Sequence, residues 1–416
     1  MKIDLSKYGE EVQTGARLCS QIMSFNFEAY IVGGCVRDMV MGNIDIHDVD
    51  IATNMPIDLL KTHFDCADNN GEKHGTILVK YDGFVFEVTQ FRTDGDYSDG
   101  RHPDNVIFTK TLKEDMARRD FTINAMAINC HGLLIDYFGG EEDLQSLTLR
   151  TVGDSQQRFD EDGLRILRAI RFASRFKMEI HKDTWNGITK KKENLKKIAR
   201  ERIGDELYKT AQYGKDAFTR MIQLIINLHI DEVIDGQQII DWRFALTLLN
   251  NVKEETDTKF LFAVLFYNCK DLKESIKMFR FDNDLYKTLK FVYDNINVFT
   301  DIETAKDLDK QLQVYTHKDF DTLNNMMILL QKNYLHETER KEFDILVKNV
   351  WCDNKMLSEV LLEYGNVGGK DFGSALKILR NTYYLYYRYH NEKISKEQII
   401  ETVKKFFGEN ICKCEK

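Results

Sequence analysis

Residues 31–38 read Ile-Val-Gly-Gly-Cys-Val-Arg-Asp, and residues 47–53 read His-Asp-Val-Asp-Ile-Ala-Thr. Read together, these two stretches decide the fold. In the first, the apolar run around Tyr30 and Ile31 ends on Gly33-Gly34, which suits a strand turning into a helix. In the second, polar and apolar residues alternate, the pattern of a half-buried strand. Residues two apart on a strand point to the same face, so Asp48 and Asp50 are expected to reach one point. An Asp-x-Asp alone is common and serves as a loop or cap as readily as a metal ligand. The upstream glycines shift that balance, because they let backbone amides approach a triphosphate at the start of a helix, and Arg37 adds a charged fork. Two carboxylates beside such a site suit Mg²⁺, which takes oxygen ligands and keeps positions open for phosphate oxygens.

Further along, Gly75 to Tyr81 and Phe84 to Phe91 alternate on either side of Asp82-Gly83, which predicts a hairpin. Glu87, flanked by apolar residues on the second strand, is either a third catalytic acid or the partner of a nearby arginine. Pro56 suits the first turn of a helix continued by Leu59 and Leu60. From about residue 141 the character changes. Neither of the two prolines, Pro56 and Pro103, lies beyond that point, and Gly163 to Phe176 and Glu201 to Ala211 carry apolar residues at spacings of three and four. The remaining two-thirds are expected to be all helical, without a short repeat.

A chain of 416 residues, 43% hydrophobic and 30% charged, has material for two to four modules with ample core. No apolar run reaches transmembrane length, and the first twenty residues carry Asp4, Glu10 and Glu11 where a secretory signal would be apolar. A cytoplasmic protein with no membrane partner is expected. The eight cysteines are scattered, and Cys412 and Cys414 lack a second pair at zinc-ligand spacing, so reduced thiols are expected. The net charge of −9 argues weakly against nucleic acid, yet local charge decides binding. Between Arg150 and Arg202 stand fifteen Lys/Arg against eight Asp/Glu. The densest run, Lys190 to Lys192 with Lys196, Lys197, Arg200 and Arg202, is either a solvated helix face or a phosphate-binding surface.

With these residues in place the sequence resembles the class II tRNA nucleotidyltransferases, the CCA-adding enzymes of the poly(A) polymerase superfamily. The matching strings are GGCVRD (33–38), DVDIAT (48–53), GEKHGT (71–76), FEVTQFRTDGDYSDGRHPD (86–104) and ARRDFTINAMA (117–127). They continue with DYFGG (136–140), RTVGD (150–154), EDGLRILRAIRF (161–172) and RERIGDEL (200–207). The resemblance implies an α+β fold: a small mixed head of sheet and helices over 1–140, then an all-α neck over 141–215, body over 216–340 and tail over 341–416. It implies that Asp48 and Asp50 ligate two Mg²⁺ ions; the strand pattern above, not the resemblance, adds Glu87 alongside as a candidate catalytic acid. Gly33, Gly34, Arg37 and Arg119 become nucleotide contacts. Asp162 and Arg165 become the residues that read the incoming base, with Arg168 and Arg171 nearby.

That last assignment makes chemical sense. Cytosine and adenine both present an amino donor beside an unprotonated ring nitrogen, whereas uracil and guanine present a carbonyl beside an N–H. A carboxylate with a guanidinium accepts the first pair and leaves unpaired polar groups against the second. Asp162 and Arg165, three apart, are expected on one helix face, with Arg168 a step further. Three departures from the family pattern stand out. The chain is one residue longer between Arg37 and Asp48, with Asn43 at a position usually basic, which leaves Asp45 as a rival to Asp48. Gly163 replaces a usual alanine and is expected to cost its helix about 1 kcal/mol. His229 and Asp231 only echo a phosphohydrolase signature and are expected at the surface. The implied reaction is stepwise addition of C, C and A from CTP and ATP to the 3′ end of tRNA, with the acceptor stem as partner. Arg92, Asp94, Tyr97, Asp99 and Arg101 resemble the loop needed for the final A. The rivals are an A-adding enzyme, a bacterial poly(A) polymerase and a non-catalytic RNA-binding paralogue.

Overall fold

A computed structural model describes residues 1–67, 72, 75–94, 106–236, 239–252, 256–298, 308–332, 337–349, 354–365, 367, 371–390 and 392–408. The chain divides into two compact units, Met1–Leu246 with Glu274–Phe281, and Thr247–Lys273 with Asp282–Lys416. No helix among the described residues is long and apolar enough to cross a membrane.

The first unit holds the strands β1 (Ala29–Val32), β2 (Asp50–Thr53), β3 (Asp65–Ala67), β4 (Thr76–Tyr81), β5 (Phe84–Gln90), β6 (Arg92–Asp94), β7 (Val106–Phe108), β8 (Met126–Ile128), β9 (Leu134–Asp136), β10 (Thr148–Leu149) and β11 (Glu179–Ile180). Seven of them form one mixed sheet in the order β3-β4-β5-β2-β1-β8-β9. Helix α1 (Glu10–Ser24) buries Val12, Ala16, Cys19 and Ile22, spaced by three and four, and Glu10 and Glu11 suit the positive end of its dipole. Gly15 lets this helix settle close to the sheet, since a Cβ there would stand 3.0 Å from Val49 and 3.3 Å from Phe86. The expected hairpin is present, with Asp82 at φ 46° and Gly83 at φ 85°, as a two-residue type I′ turn demands. Gly33, at φ 85°, carries the chain from β1 into α2 (Gly34–Val40), and Pro56 directly precedes α3 (Ile57–His63).

Register then sets Asp50 between two neighbouring strands. Strand β2 runs antiparallel to β1, with Asp50 opposite Val32, and parallel to β5, with Asp50 opposite Glu87. Here the structure corrects one sequence expectation: Asp48 precedes the strand and adopts φ 58°, so strand alternation does not bring it beside Asp50. A left-handed residue is tolerable there because aspartate bears that conformation better than most.

After α4 (Leu112–Ala117) and α5 (Gly140–Gln145) the chain is helical apart from β10 and β11, which pair in parallel and correct the expectation of helix alone. Helices α6 (Ser155–Glu161) and α7 (Arg165–Arg175) are separate, and Asp162 between them is extended at φ −142°. Gly163 therefore lies in the break and carries no helix penalty; a Cβ there would come within 3.0 Å of the Asn194 carbonyl oxygen. Contrary to the expectation from spacing, Asp162 and Arg165 do not share a helix face, because Asp162 lies outside the helix. On α7, Ile166, Leu167, Ala169, Ile170 and Ala173 are buried, while Arg165, Arg168, Arg171 and Arg175 follow one another at spacings of three and four. Helices α8 (Lys182–Lys191), α9 (Arg200–Ala211) and α10 (Lys215–Asn227) pack behind them.

Among the described residues, every named element of the second unit is a helix. Every residue from Phe260 to Phe266 is buried, so the helix Thr258–Phe266 is its apolar centre, packed by Asn283–Asn295 and Phe320–Leu329. Asp257 and Asp282 cap the first two helices by accepting from Phe260 N and Leu285 N, each at 2.7 Å. Tyr293 donates its hydroxyl to the Ala263 carbonyl at 2.9 Å.

Within the first unit the segment Glu274–Phe281 seats on α9 at Gly204, where a Cβ would come 2.5 Å from the Phe279 carbonyl oxygen. Alanine is worth about 1 kcal/mol more than glycine inside a helix, but the clash opposes it. Gly204→Ala is expected to lower stability by about 1–3 kcal/mol in urea denaturation. A gain in stability would show that the segment moves aside at no cost.

Candidate active site

A cleft of about 640 Å³ opens in the first unit. Its sheet side presents Gly33, Gly34, Arg37, Asp50 and Glu87; Arg118, Arg119, Asp120 and Asn124 follow α4; Asp162, Arg165, Arg168, Arg171, Arg175 and Arg202 face from the helices. Thr76, Thr89, Arg92, Leu164 and Phe172 complete the lining. Nine lining residues are arginines and four are carboxylates, a field suited to a polyanion. Every site residue expected from sequence lines this cleft except Asp48, which is exposed beside it. Its rival Asp45 pairs with His47 at 3.1 Å on the surface and does not line the cleft.

Asp50, the first residue of β2, lines the cleft while staying open to solvent. Desolvation by the groups around it first, then the Glu87 carboxylate, and more weakly Asp48, push its carboxyl up to about 6, against the pull of Arg119. Gly33 leaves the space in front of it open: a Cβ at this position would stand 3.1 Å from Asp50 Oδ2 and 3.6 Å from Arg119 Nη1. A cation among these carboxylates would relieve their mutual repulsion, so the donor set fits a hard divalent ion such as Mg²⁺. Among the described residues no three acidic, histidine or cysteine side chains are already gathered as a metal centre. The fit rests on Asp50 and the charges around it.

The arginines divide into tightly held and loosely held. Arg37 is 4% exposed; its Nε donates to Asp38 and its Nη1 to Asn124 Oδ1, both at 2.8 Å, and its guanidinium lies 4.8 Å from the Phe176 ring centre. Arg119 is looser, reaching the Asn124 carbonyl at 3.4 Å and Asp115 at 3.5 Å, while its buried Nε has no partner among the described residues. Burial lowers the pKa of both side chains. An anion entering the cleft would complete the bonding of Arg119.

On the helical side, Asp162 Oδ1 accepts from Leu164 N at 2.9 Å and so caps α7, while Oδ2 accepts from Arg202 at 3.0 Å. Arg165 donates to Glu161 at 2.5 Å and to the carbonyls of Arg158 and Arg118. Arg168 forks onto Asp120 Oδ2 at 2.9 and 2.6 Å, and Arg171 pairs with the buried Glu206 at 2.6 Å. Burial alone would raise the Asp120 carboxyl, but Arg168 and Asn124 outweigh it and hold it at about 2.

Sequence reasoning missed Asp120, Asn124, Arg118, Arg175 and Arg202. Arg175 continues the three-and-four stripe of α7, a signal that was available. Arg202 belongs to the basic run for which a solvated face and a phosphate-binding surface were the two readings, and much of that run is engaged within the chain. Lys191 pairs with Asp160 at 2.6 Å, Lys192 donates to the Leu228 and His229 carbonyls at 3.3 Å, and Arg200 donates to Ile234 O at 2.5 Å. Lys190, Lys196 and Lys197 remain exposed. His229 is exposed, as expected, whereas Asp231 is half-buried. Of the expected mobile loop, Tyr97, Asp99 and Arg101 lie outside the described residues, as do Cys412 and Cys414. The described cysteines Cys19, Cys35, Cys66, Cys130 and Cys269 are free thiols.

A family model described as the poly A polymerase head domain matches residues 29–150, and one described as a probable RNA- and SrmB-binding site of polymerase A matches residues 177–230. A CCA-adding enzyme of Oceanobacillus iheyensis is 42% identical over 215 residues, 52% of this chain and 53% of that one. The chain thus spans about half the length of that relative. A CCA-adding enzyme of Staphylococcus saprophyticus is 33% identical over 328 residues, 79% of this chain and 78% of that one. The crystal structure of a Bacillus stearothermophilus CCA-adding enzyme in complex with CTP has the same fold, with a TM-score of 0.71 and 23% identity over 95% of this chain and 98% of that one.

Because Asp50 holds its proton up to about 6 in the folded chain and only to about 4 when unfolded, the folded state binds more protons between these values. Stability therefore falls as pH rises through that window, and the cost is complete above it. Asp50 opens onto the cleft, so solvent screening keeps the effect modest. Asp50→Asn is expected to raise the urea midpoint at pH 7.5 relative to the parent and to leave it nearly unchanged at pH 4. A lower midpoint at pH 7.5 would mean that cations, not crowded acids, govern this carboxylate.

Proposed function

We propose that this chain, which belongs to the CCA-adding enzymes of the poly(A) polymerase superfamily, adds C, C and A to the 3′ end of tRNA without a template, using CTP and ATP. The observation that carries the reading is the meeting in one cleft of the Asp50–Glu87 pair, the Gly33-Gly34 turn and the arginine stripe of α7.

The chemistry is attack by the RNA 3′ hydroxyl oxygen on the α-phosphorus. A new P–O bond forms as the bond to pyrophosphate breaks, and the hydroxyl proton passes to solvent water. Asp48 and Asp50 would hold two Mg²⁺ ions, which when bound lower the hydroxyl's pKa and neutralise charge on the leaving group. Gly33 and Gly34 bring backbone amides to the triphosphate at the start of α2, where no side chain intervenes. Arg119 supplies an incompletely bonded guanidinium to the same phosphates, and Arg37, fixed by Asp38 and Asn124, keeps a positive charge at the turn. Asp162 and Arg165 are the residues by which the family matches the amino group and ring nitrogen of cytosine or adenine. Here Arg202 and Glu161 set their directions, and Arg168 and Arg171, each pinned by a carboxylate, hold positive charge beside them. Catalysis on this reading is positioning and charge stabilisation.

The decisive assay offers tRNAs ending in the discriminator base, in C, or in CC to the protein with each nucleoside triphosphate separately. Two additions of C followed by one of A are expected. Addition of A alone, only to the CC-ended tRNA, would reassign the chain to A addition, and a long A run would reassign it to poly(A) synthesis. Asp50→Ala and Asp48→Ala are each expected to reduce incorporation on the order of a thousand-fold while tRNA binding persists. Unchanged incorporation would refute the carboxylate assignment, and binding without any transfer by the parent would favour a non-catalytic RNA-binding role.

A further inference from the structure

The cleft continues beyond the carboxylates along β5. Thr76 opposes Thr89 in register, their hydroxyls stand 3.0 Å apart, and both line the cleft. Past this pair the chain enters the β6–β7 ribbon, where Arg92 is directly opposite Phe108. Residues directly opposite in an antiparallel pair present their side chains on one face. Arg92 lines the cleft, so Phe108 stands on the cleft side. Phenylalanine is usually buried, yet this ring is 48% exposed. Its edge rests on Gly75, where a Cβ would come 2.7 Å from Phe108 Cε1 and where φ is +83°. Gly75 is itself fixed, donating to the Glu72 carbonyl at 2.9 Å and accepting from Gln90 N at 2.7 Å. A half-bare aromatic ring is thus seated on a pinned glycine at the edge of the cleft.

Thr89 lies two residues beyond Glu87 on the same face of β5, and Gly75 one step beyond the threonine pair. Strand rise sets Phe108 roughly 10 Å from the level of Glu87, a span that a single nucleotide covers. We propose that Phe108 is the stacking platform for the base of the RNA's 3′-terminal nucleotide, keeping its hydroxyl at the Asp50–Glu87 end of the cleft. The inference rests on the nucleotidyl-transfer reading above. Stacking suits this place because every base has a π face. The same platform accepts an RNA ending in a discriminator base, in C or in CC, which a reader of base edges would not. Ile107, 61% exposed, alternates to the opposite face of the ribbon and provides an internal control.

The test uses the whole protein, ATP, a tRNA ending in CC, and the same tRNA with its terminal nucleotide abasic. Phe108→Ala is expected to raise KM for the intact tRNA about tenfold, with KM for ATP unchanged and little effect on the abasic tRNA. Phe108→Trp should restore the parent value, Phe108→Leu should not, and Ile107→Ala should behave as the parent. Equal losses on both tRNAs, or no loss on the intact one, would overturn the stacking role. If the parent transfers nothing to the intact tRNA, the transfer reading itself fails. Fluorescence anisotropy of the two RNAs with parent and Phe108→Ala then still decides the stacking: a difference confined to the intact RNA supports it, and its absence overturns it.

Discussion

The constraint on which the site depends is the parallel register of β2 and β5, which sets Asp50 directly against Glu87. Two carboxylates on adjacent strands repel, and the rise of the Asp50 carboxyl to about 6 records desolvation first and then that repulsion. A chain selected for stability alone would place an apolar or oppositely charged residue at one of the two positions. The strand β1 on the other side of β2 ends where Gly33 must turn, so the unpaired charge and the open turn arise from the same three strands. Local strain of this kind persists only when the surrounding structure over-determines it. Here the buried centres of β2 and β5, and α1 settled on them through Gly15, do so.

A second network crosses the cleft. Asp120 receives the Arg168 fork and the Asn124 amide, and Asn124 in turn receives Arg37. One buried carboxylate thereby ties an arginine beside the glycine turn to an arginine on α7. Fully paired networks in a low dielectric are stiff, because loss of any member leaves another buried group unsatisfied. The cleft keeps its width through side-chain chemistry rather than through apolar packing alone.

Much of this was legible in the sequence, and the limits are instructive. The hairpin at Asp82-Gly83, the turn at Gly33 and the change to helices near residue 141 follow from local rules of dihedral freedom and period. Asp50, Glu87, Arg37, Arg119, Asp162, Arg165, Arg168 and Arg171 were expected together from motifs, and all line one cleft. Two readings failed for one reason: periodicity was carried across a boundary. Alternation through His47 to Ile51 predicted a strand beginning before Asp48, yet the ladder starts at Asp50. Helical spacing through Asp162 and Gly163 predicted one helix, yet Asp162 is extended and caps the next one. Partners such as Asp120 and Arg202 were hidden because a side chain's pairing is a tertiary fact, and an arginine in a basic run looks the same whether it faces solvent or a carboxylate.

If Asp162 and Arg165 read the incoming base, as proposed above, their pairing with Arg202 and Glu161 has a consequence for selectivity. A base edge arriving at these groups competes with ligands that the polypeptide already provides, not with bulk water. An ill-matched edge must break an existing ion pair and offers nothing equivalent in exchange. The comparison between right and wrong nucleotide is therefore made against an occupied reference, and a small mismatch is felt as a whole lost bond.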